Sequence, residues 1–274
     1  MRVRFAAASS LMLVLSSLAY NSFGQNFNAS GGRALGMAST SILLVDEYGL
    51  FNNPGAVDVT SLTFLASYHT QYITLGINDV RLGMVLPVKK FTTGIGILFY
   101  GDELFNQMRI SSFLAHKFGF AKVALRTNYS QYYVQNYGYR NNITIDIGGV
   151  FTLSQQLQLA MVFQNLTRSK LSGETNTPLN SLIQLGLSYH PIDKFRVDIQ
   201  LDKSIEQPPS LRFGLEYKAT DLIALRTGFN PASGLAALGL GLTWQTFTLD
   251  LAGNYTHQLG YAGILSFMIS PKKK

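Results

Sequence analysis

The stretch Lys194-Phe195-Arg196-Val197-Asp198-Ile199-Gln200-Leu201-Asp202 alternates without a break. Phe195, Val197, Ile199 and Leu201 fall on one face, and Lys194, Arg196, Asp198, Gln200 and Asp202 fall on the other. Successive side chains of a strand point to opposite faces, so this segment is a strand with one apolar and one polar side. The pattern recurs in both directions. Leu211, Phe213, Leu215 and Tyr217 oppose Arg212, Gly214, Glu216 and Lys218, and Phe247, Leu249, Leu251 and Tyr255 oppose Thr248, Asp250 and Asn254. Toward the N-terminus, Val123, Leu125, Thr127 and Tyr129 oppose Lys122, Arg126 and Asn128.

Alternation alone fits a soluble sandwich as well as a membrane barrel. Composition and connection lengths separate the two. Only 14% of the residues are charged, against about 25% in soluble domains. No internal stretch stays apolar for the roughly 18 to 20 residues of a spanning helix. In lipid, a closed barrel is the other way to satisfy the backbone.

Strands are expected near 62–69, 72–86, 91–100, 107–117, 119–133, 141–153 and 156–165. Seven more follow near 180–190, 194–202, 209–218, 221–229, 236–244, 246–256 and 260–270. Every second connection is tight: Pro87 to Lys90, Lys117 to Gly119, Ser154 to Gln156, His190 to Asp193, Lys218 to Asp221 and near Gln245. The others, Gly101 to Asn106, Val134 to Arg140, Asn165 to Leu179, Lys203 to Pro208 and Asn230 to Gly234, are mostly longer and more polar. Short periplasmic turns and longer extracellular loops are the rule for outer-membrane barrels.

The expectation is an all-β fold, a 14-stranded antiparallel transmembrane β-barrel over 62–270 with a short N-terminal plug. It would sit among outer-membrane lipids with both termini periplasmic and a basic tail at 271–274. On the last segment Tyr261, Leu265, Phe267 and Ile269 share one face. Phe267 and Ile269 are read as the terminal strand signal of outer-membrane assembly.

At the N-terminus Arg2 and Arg4 precede an apolar run from Phe5 through Leu18, which reads as a secretory signal peptide over 1–24. Cleavage after Gly24 is preferred to cleavage after Ala19, because Ser22-Phe23-Gly24 offers small residues where the peptidase inspects them. An uncleaved anchor is the alternative, for which the run is short. The absence of cysteine excludes lipid attachment through Cys, disulfides, thiol catalysis and Cys-based metal sites. The formal charge of +7, less Arg2 and Arg4, leaves +5, and the basic residues are dispersed except at Lys272 to Lys274. That is no nucleic-acid footprint.

Residues 25–61 are of another kind. Gly31-Gly32-Arg33-Ala34-Leu35-Gly36-Met37 leads through Ile42 to Val45 into Asp46-Glu47-Tyr48, then Leu50-Phe51-Asn52-Asn53-Pro54-Gly55. This order resembles the start of the FadL-type fatty-acid transporter barrels, and more closely their PorV and PorQ relatives in the type IX secretion system of Bacteroidetes. Arg226-Thr227-Gly228-Phe229-Asn230, the glycine-rich run to Gly241 and Leu249-Asp250-Leu251-Ala252 extend the resemblance. It implies that 25–61 is a plug inside the barrel, with Arg33, Gly36, Met37, Asn53, Pro54 and Gly55 as its motif. The family usually has Ala where Gly55 stands, and this chain is shorter than typical members, with small surface loops.

The inward charges Arg126, Arg196, Asp198, Arg212 and Glu216, with Lys122, Asp146, Lys194, Asp202, Lys218 and Asp250, are mixed in sign. They are expected to pair across strands, Arg196 with Glu216 if their hairpin centres near Glu206. A lining of one sign would indicate ion selectivity, and mixed signs do not. The four histidines, His69, His116, His190 and His257, fall near strand ends without an evident nucleophile, so no enzyme is expected. No phosphate loop, dinucleotide fingerprint or metal-ligand cluster appears, and no cofactor is expected.

Two functions remain. One is a partner in protein secretion or surface attachment, with secretion-system or surface proteins as its partners, as the resemblance implies. The other is a FadL-like passive transporter of a small hydrophobic ligand. Short loops and no obvious apolar lumen residues favour the first.

Overall fold

A computed structural model describes residues 29–73, 76–170, 179–205 and 207–271. The expected signal peptide and Lys272 to Lys274 lie outside them. The strands are β1 (Thr63–Tyr72), β2 (Ile77–Val88), β3 (Phe91–Gly101), β4 (Phe105–Phe118) and β5 (Ala121–Val134). Next come β6 (Gly138–Thr152), β7 (Leu157–Gln164), β8 (Leu182–Ile192), β9 (Phe195–Ser204) and β10 (Ser210–Lys218). The last are β11 (Ile223–Asn230), β12 (Leu235–Trp244), β13 (Phe247–Thr256) and β14 (Gly260–Ile269). Each pairs antiparallel with the next, and β14 returns to β1, which closes the barrel. The seam sets Phe64 opposite Ile269 and Thr70 opposite Gly263, so every strand has a neighbour on both sides. The fourteen strands are those the alternation predicts.

The two faces separate as period two requires. On β9, Arg196, Asp198, Gln200, Asp202 and Ser204 are buried in the lumen, while Ile199 and Leu201 are exposed on the outer wall. Leu82, Leu114, Leu125, Leu187, Leu225 and Leu251 continue this outer apolar band. Aromatic pairs sit at both of its margins: His116 between Phe91 and Phe118 at one end, and Tyr133 on Tyr139 and Tyr255 on Tyr261 at the other. An apolar band flanked by aromatic girdles is the outer surface of a membrane barrel. Lys194 and Lys218, expected in the lumen, are instead exposed at the rim. They lie one residue before β9 and at the last position of β10, where the wall has ended.

The tight turns lie where the sequence places them. Three two-residue turns have a positive φ at their first position: Lys89 (53°), Gly119 (56°) and Gln245 (53°), the conformation that matches the twist of a hairpin. The opposite end differs from expectation. Gly101 to Asn106 and Val134 to Arg140 are largely strand, with Gly101 paired to Asn106 and Tyr133 to Tyr139. Polar side chains end the lipid-facing band but do not stop backbone pairing, so the ladder runs past it. The connections there shrink to Asp102–Leu104 and Gln135–Tyr137.

Residues 29–61 fold inside the barrel as a short helix (Gly32–Gly36) and two 3-10 turns (Glu47–Leu50 and Pro54–Ala56). Tyr48, Leu50 and Val57 pack with Leu65, Val85, Phe113, Ala115, Ala124 and Met268 near the tight-turn end. Ile42, Leu43 and Ala56 pack with Val150, Ala160 and Val162. The lumen therefore does hold apolar residues, contrary to the sequence reading. They come one or two to a strand, and several are alanines, so they hide within strands whose inner face is otherwise polar.

Candidate functional site

The plug braces itself first. Asn52 Nδ2 donates to the Ser30 carbonyl (2.9 Å) and its Oδ1 accepts from the Ser30 N–H (2.8 Å), tying the start of the segment to its middle. Asn53 Oδ1 accepts from the Gly55 N–H (3.0 Å), which begins the turn at Pro54. Its Nδ2 donates to the Ile42 carbonyl (2.8 Å) and to Gly149 on β6 (3.2 Å). The plug then meets the wall by close approach. A methyl carbon on Gly55 would lie 2.7 Å from the Gly149 Cα, and one on Gly36 would lie 2.8 Å from the Gly239 Cα. Glycine at 55, where the resembling family has alanine, is thus required by the proximity of β6. Met37 is fully buried, with its side chain near Gly214.

The lumen charges do more than pair across strands. Arg196 stands opposite Glu216 in register as expected, yet its ion pair is with Asp198 on its own strand (2.8 Å). Glu216 instead receives two hydrogen bonds from Arg33 of the plug (2.8 and 2.6 Å) and one from Arg226 (2.7 Å). Arg226 reaches on to Asp250 (2.5 Å). The Arg196 Nε–H is shared between both carboxylate oxygens of Asp198, two positions along the strand, and a plug arginine competes for Glu216.

Three wall arginines share one scheme. Arg126 pairs with Asp146 (2.8 Å) and donates to the plug carbonyls of Leu50 (3.0 Å) and Phe51 (2.5 Å). Arg196 donates to the Leu43 carbonyl (2.6 Å). Arg212 pairs with Asp202 (3.0 Å) and donates to the Ser39 carbonyl (3.4 Å). A guanidinium has enough donors to serve a wall carboxylate and a plug carbonyl together. The wall thus clamps backbone groups that would otherwise be buried without partners.

Gln200 accepts from the Ser41 and Ile42 N–H groups (2.8 and 3.2 Å), and Ser266 accepts from the Gly32 N–H (2.8 Å). Neither was singled out as a site residue from the sequence. Gln200 shares the inward parity of Asp198, the one signal that could have found it. Phe267 and Ile269 face outward on β14, with Phe267 5.9 Å from Phe247.

Within the plug, burial pushes the Asp46 carboxyl up to about 7, with Arg33 acting against it. Burial also raises Glu47. For Arg33, burial opposes the charge, but Glu216 and Asp46 outweigh it and raise its pKa. Glu216 is the nearer partner at 2.6 Å, against 3.4 Å for Asp46, so Glu216 carries the ion pair.

Between the plug and the end opposite the tight turns lies a cavity of about 600 Å³, the vestibule. Its floor is Ala29, Ser41, Phe51 and Asn52 of the plug, and its wall comes from β1 to β8. Leu98, Tyr100, Phe105 and Tyr132 supply an apolar and aromatic side, with ring centroids 6.2 Å apart for Tyr100 and Phe105 and 6.4 Å for Phe105 and Tyr132. Amides, arginines, the hydroxyls of Ser130 and Thr144, Asp146 and Leu179 line the rest. Beside the vestibule His69 is buried, its Nδ1 2.9 Å from Asp79, which also accepts from Gln71 (3.0 Å) and forms an ion pair with Arg81 (3.0 Å). No hydroxyl among the described residues bonds its Nε2.

No family model matches the sequence, and no curated protein matches it. Solved structures do. The toluene transporter TbuX of Ralstonia pickettii superposes with a TM-score of 0.67 at 11% identity, over 91% of this chain and 100% of that one. The toluene transporter TodX of Pseudomonas putida gives 0.69 at 10% identity, over 89% and 98%. A Pseudomonas aeruginosa FadL homologue gives 0.63 at 11% identity, over 89% and 98%.

The chain has the fold of these outer-membrane barrels. Two of these structures are toluene transporters and one is a FadL homologue, and none supports the PorV and PorQ assignment that the plug motif suggested.

Proposed function

We propose that this chain is a passive outer-membrane channel for a small molecule, which enters the vestibule and is held back by the plug. The observation that carries the reading is a lumen of two parts: a cavity of about 600 Å³ above, and below it a plug that, beside its apolar packing, is held to the wall by hydrogen bonds and ion pairs. Such contacts can be exchanged. The solved structures of like fold support the conduit role, and two of them are named as toluene transporters. Leu98, Tyr100, Phe105 and Tyr132 offer the apolar contact that a hydrophobic cargo would use. The outer apolar band supports an outer-membrane location, and the rule that periplasmic turns are short would set the tight turns on the periplasmic side.

A role as partner in protein secretion rests on the plug motif's resemblance alone. The test is uptake into liposomes carrying the purified protein, with toluene and small sugars as solutes. Uptake above that of empty liposomes, increased when Arg33→Ala loosens the plug, is expected. Equal uptake with and without protein for every solute overturns the channel.

A further inference from the structure

The wall of the vestibule carries an ordered strip. Pairing of β3 to β4, β4 to β5 and β5 to β6 sets Leu98, Arg109, Ser130 and Asn142 in one row. The next row toward the mouth holds Tyr100, Gln107 and Tyr132, and the row below holds Ser111, Asn128 and Thr144. All of these except Ser111 line the cavity.

Two residues of the middle row stand apart. Asn142 is 7% exposed, and both its amide oxygen and its amide nitrogen are buried without a hydrogen-bond partner. A buried carboxamide left with a donor and an acceptor unpaired is costly in a folded protein, so a ligand able to serve both is favoured there. Arg109 donates to Ser130 at 3.3 Å and has no carboxylate partner among the described residues. The other two arginines of the vestibule are neutralised, Arg81 by Asp79 and Arg126 by Asp146. Among the described residues, one cationic fork therefore faces the cavity with no ion-pair partner.

We infer that the vestibule binds a small acidic sugar, its carboxylate on Arg109, its hydroxyls on Asn142 and the neighbouring amides, and a ring face against Tyr100 and Tyr132. The inference rests on the conduit reading and names its cargo. Adjacent strands are about 4.8 Å apart, so the guanidinium, hydroxyl and carboxamide of the row recur at the scale of a sugar ring. Alternating donors and acceptors match hydroxyl groups, which do both. A purely hydrocarbon cargo would cover these groups without pairing them, which is unfavourable. The volume is in the range of small-molecule pockets, roughly 300 to 1,000 Å³.

The test is titration calorimetry of the full-length protein in detergent with glucuronate, glucose and toluene, beside liposome uptake of the same three. Glucuronate is expected to bind most tightly. Arg109→Gln should weaken glucuronate about tenfold and leave glucose unchanged, because it removes the charged partner and keeps the volume. Asn142→Leu should weaken both sugars. Retained heat-modifiable migration on gels shows that each variant is folded. Toluene binding more tightly than either sugar, or Arg109→Gln leaving glucuronate unchanged, overturns the inference. Uptake of toluene alone would do so while the channel reading stands, whereas sugar binding without uptake of any solute sinks the channel and leaves the site.

Discussion

Arg33 of the plug and Glu216 of β10 are joined by two parallel hydrogen bonds of 2.8 and 2.6 Å, and Arg226 closes on the same carboxylate at 2.7 Å. The two partners are unequal. Removing Arg33 leaves Glu216 with Arg226, whereas removing Glu216 leaves Arg33 with only the longer contact to Asp46. Glu216→Ala is therefore expected to be the more damaging, by about 3 to 5 kcal/mol as for other broken buried pairs, and Arg33→Ala clearly less so. The temperature at which the folded gel band converts to the unfolded one ranks them, and the reverse order would show that Arg226 does not share the carboxylate.

Gly55→Ala should dislodge the plug without opening the barrel, since the added methyl would meet the Gly149 Cα and the Gly148 carbonyl, which are backbone and cannot rotate away. Gly253→Ala is the control, its nearest neighbour being a carbonyl at an ordinary 3.5 Å. Limited proteolysis should cut residues 29–61 in the first variant and not in the second.

The plug should dock more firmly in mild acid. Asp46 has its docked pKa at about 7, above the ordinary 3.8, so the docked form holds its proton the more tightly. Docking is strongest below the ordinary value, weakens as pH rises toward 7 and is level above it. Glu47 adds an effect of the same sign. Protection of 29–61 from hydrogen exchange, relative to the intrinsic rate at each pH, should be lower near pH 8 than near pH 5, and Asp46→Asn should reduce the difference. Lower protection in acid would contradict the burial of this carboxyl.

Leu215→Arg and Gly214→Arg, adjacent in sequence, should fail for different reasons. Leu215 is exposed on the outer wall, where an arginine costs about 2 to 4 kcal/mol at the lipid midplane. Gly214 faces inward, and alternation alone suggests that a charge is tolerated there. A Cβ added there, however, would collide with Thr40 Oγ1 and lie 2.9 Å from Met37 Cβ, so Arg would displace the plug. Folding in liposomes of graded thickness separates them: only Leu215→Arg should respond to the lipid.

The barrel was legible because one face of each strand touches lipid and the other does not, which writes period two into segments such as 194–202. Register was legible too, down to Arg196 opposite Glu216. What the pattern could not carry was the third partner. Glu216 turns to Arg33 because a segment 183 positions away enters the lumen, and alternation records only which face a residue takes. The vestibule was hidden for the same reason: Arg109, Ser130 and Asn142 lie on three strands and meet only through pairing.

The wall residues that grip the plug are spread around the whole circumference: Ala66 on β1, Gly149 on β6, Gln200 on β9, Glu216 on β10 and Ser266 on β14. Gly32 and Ser266 are 234 positions apart. The plug, first in the order of the described residues, thus cannot be fully satisfied until the final strand is in place. It acts as a mandrel: a sheet one strand short, or slipped by one residue, would close around it with these groups misaligned. The same inner segment that fills the lumen would then also gauge the girth of the cylinder wound about it.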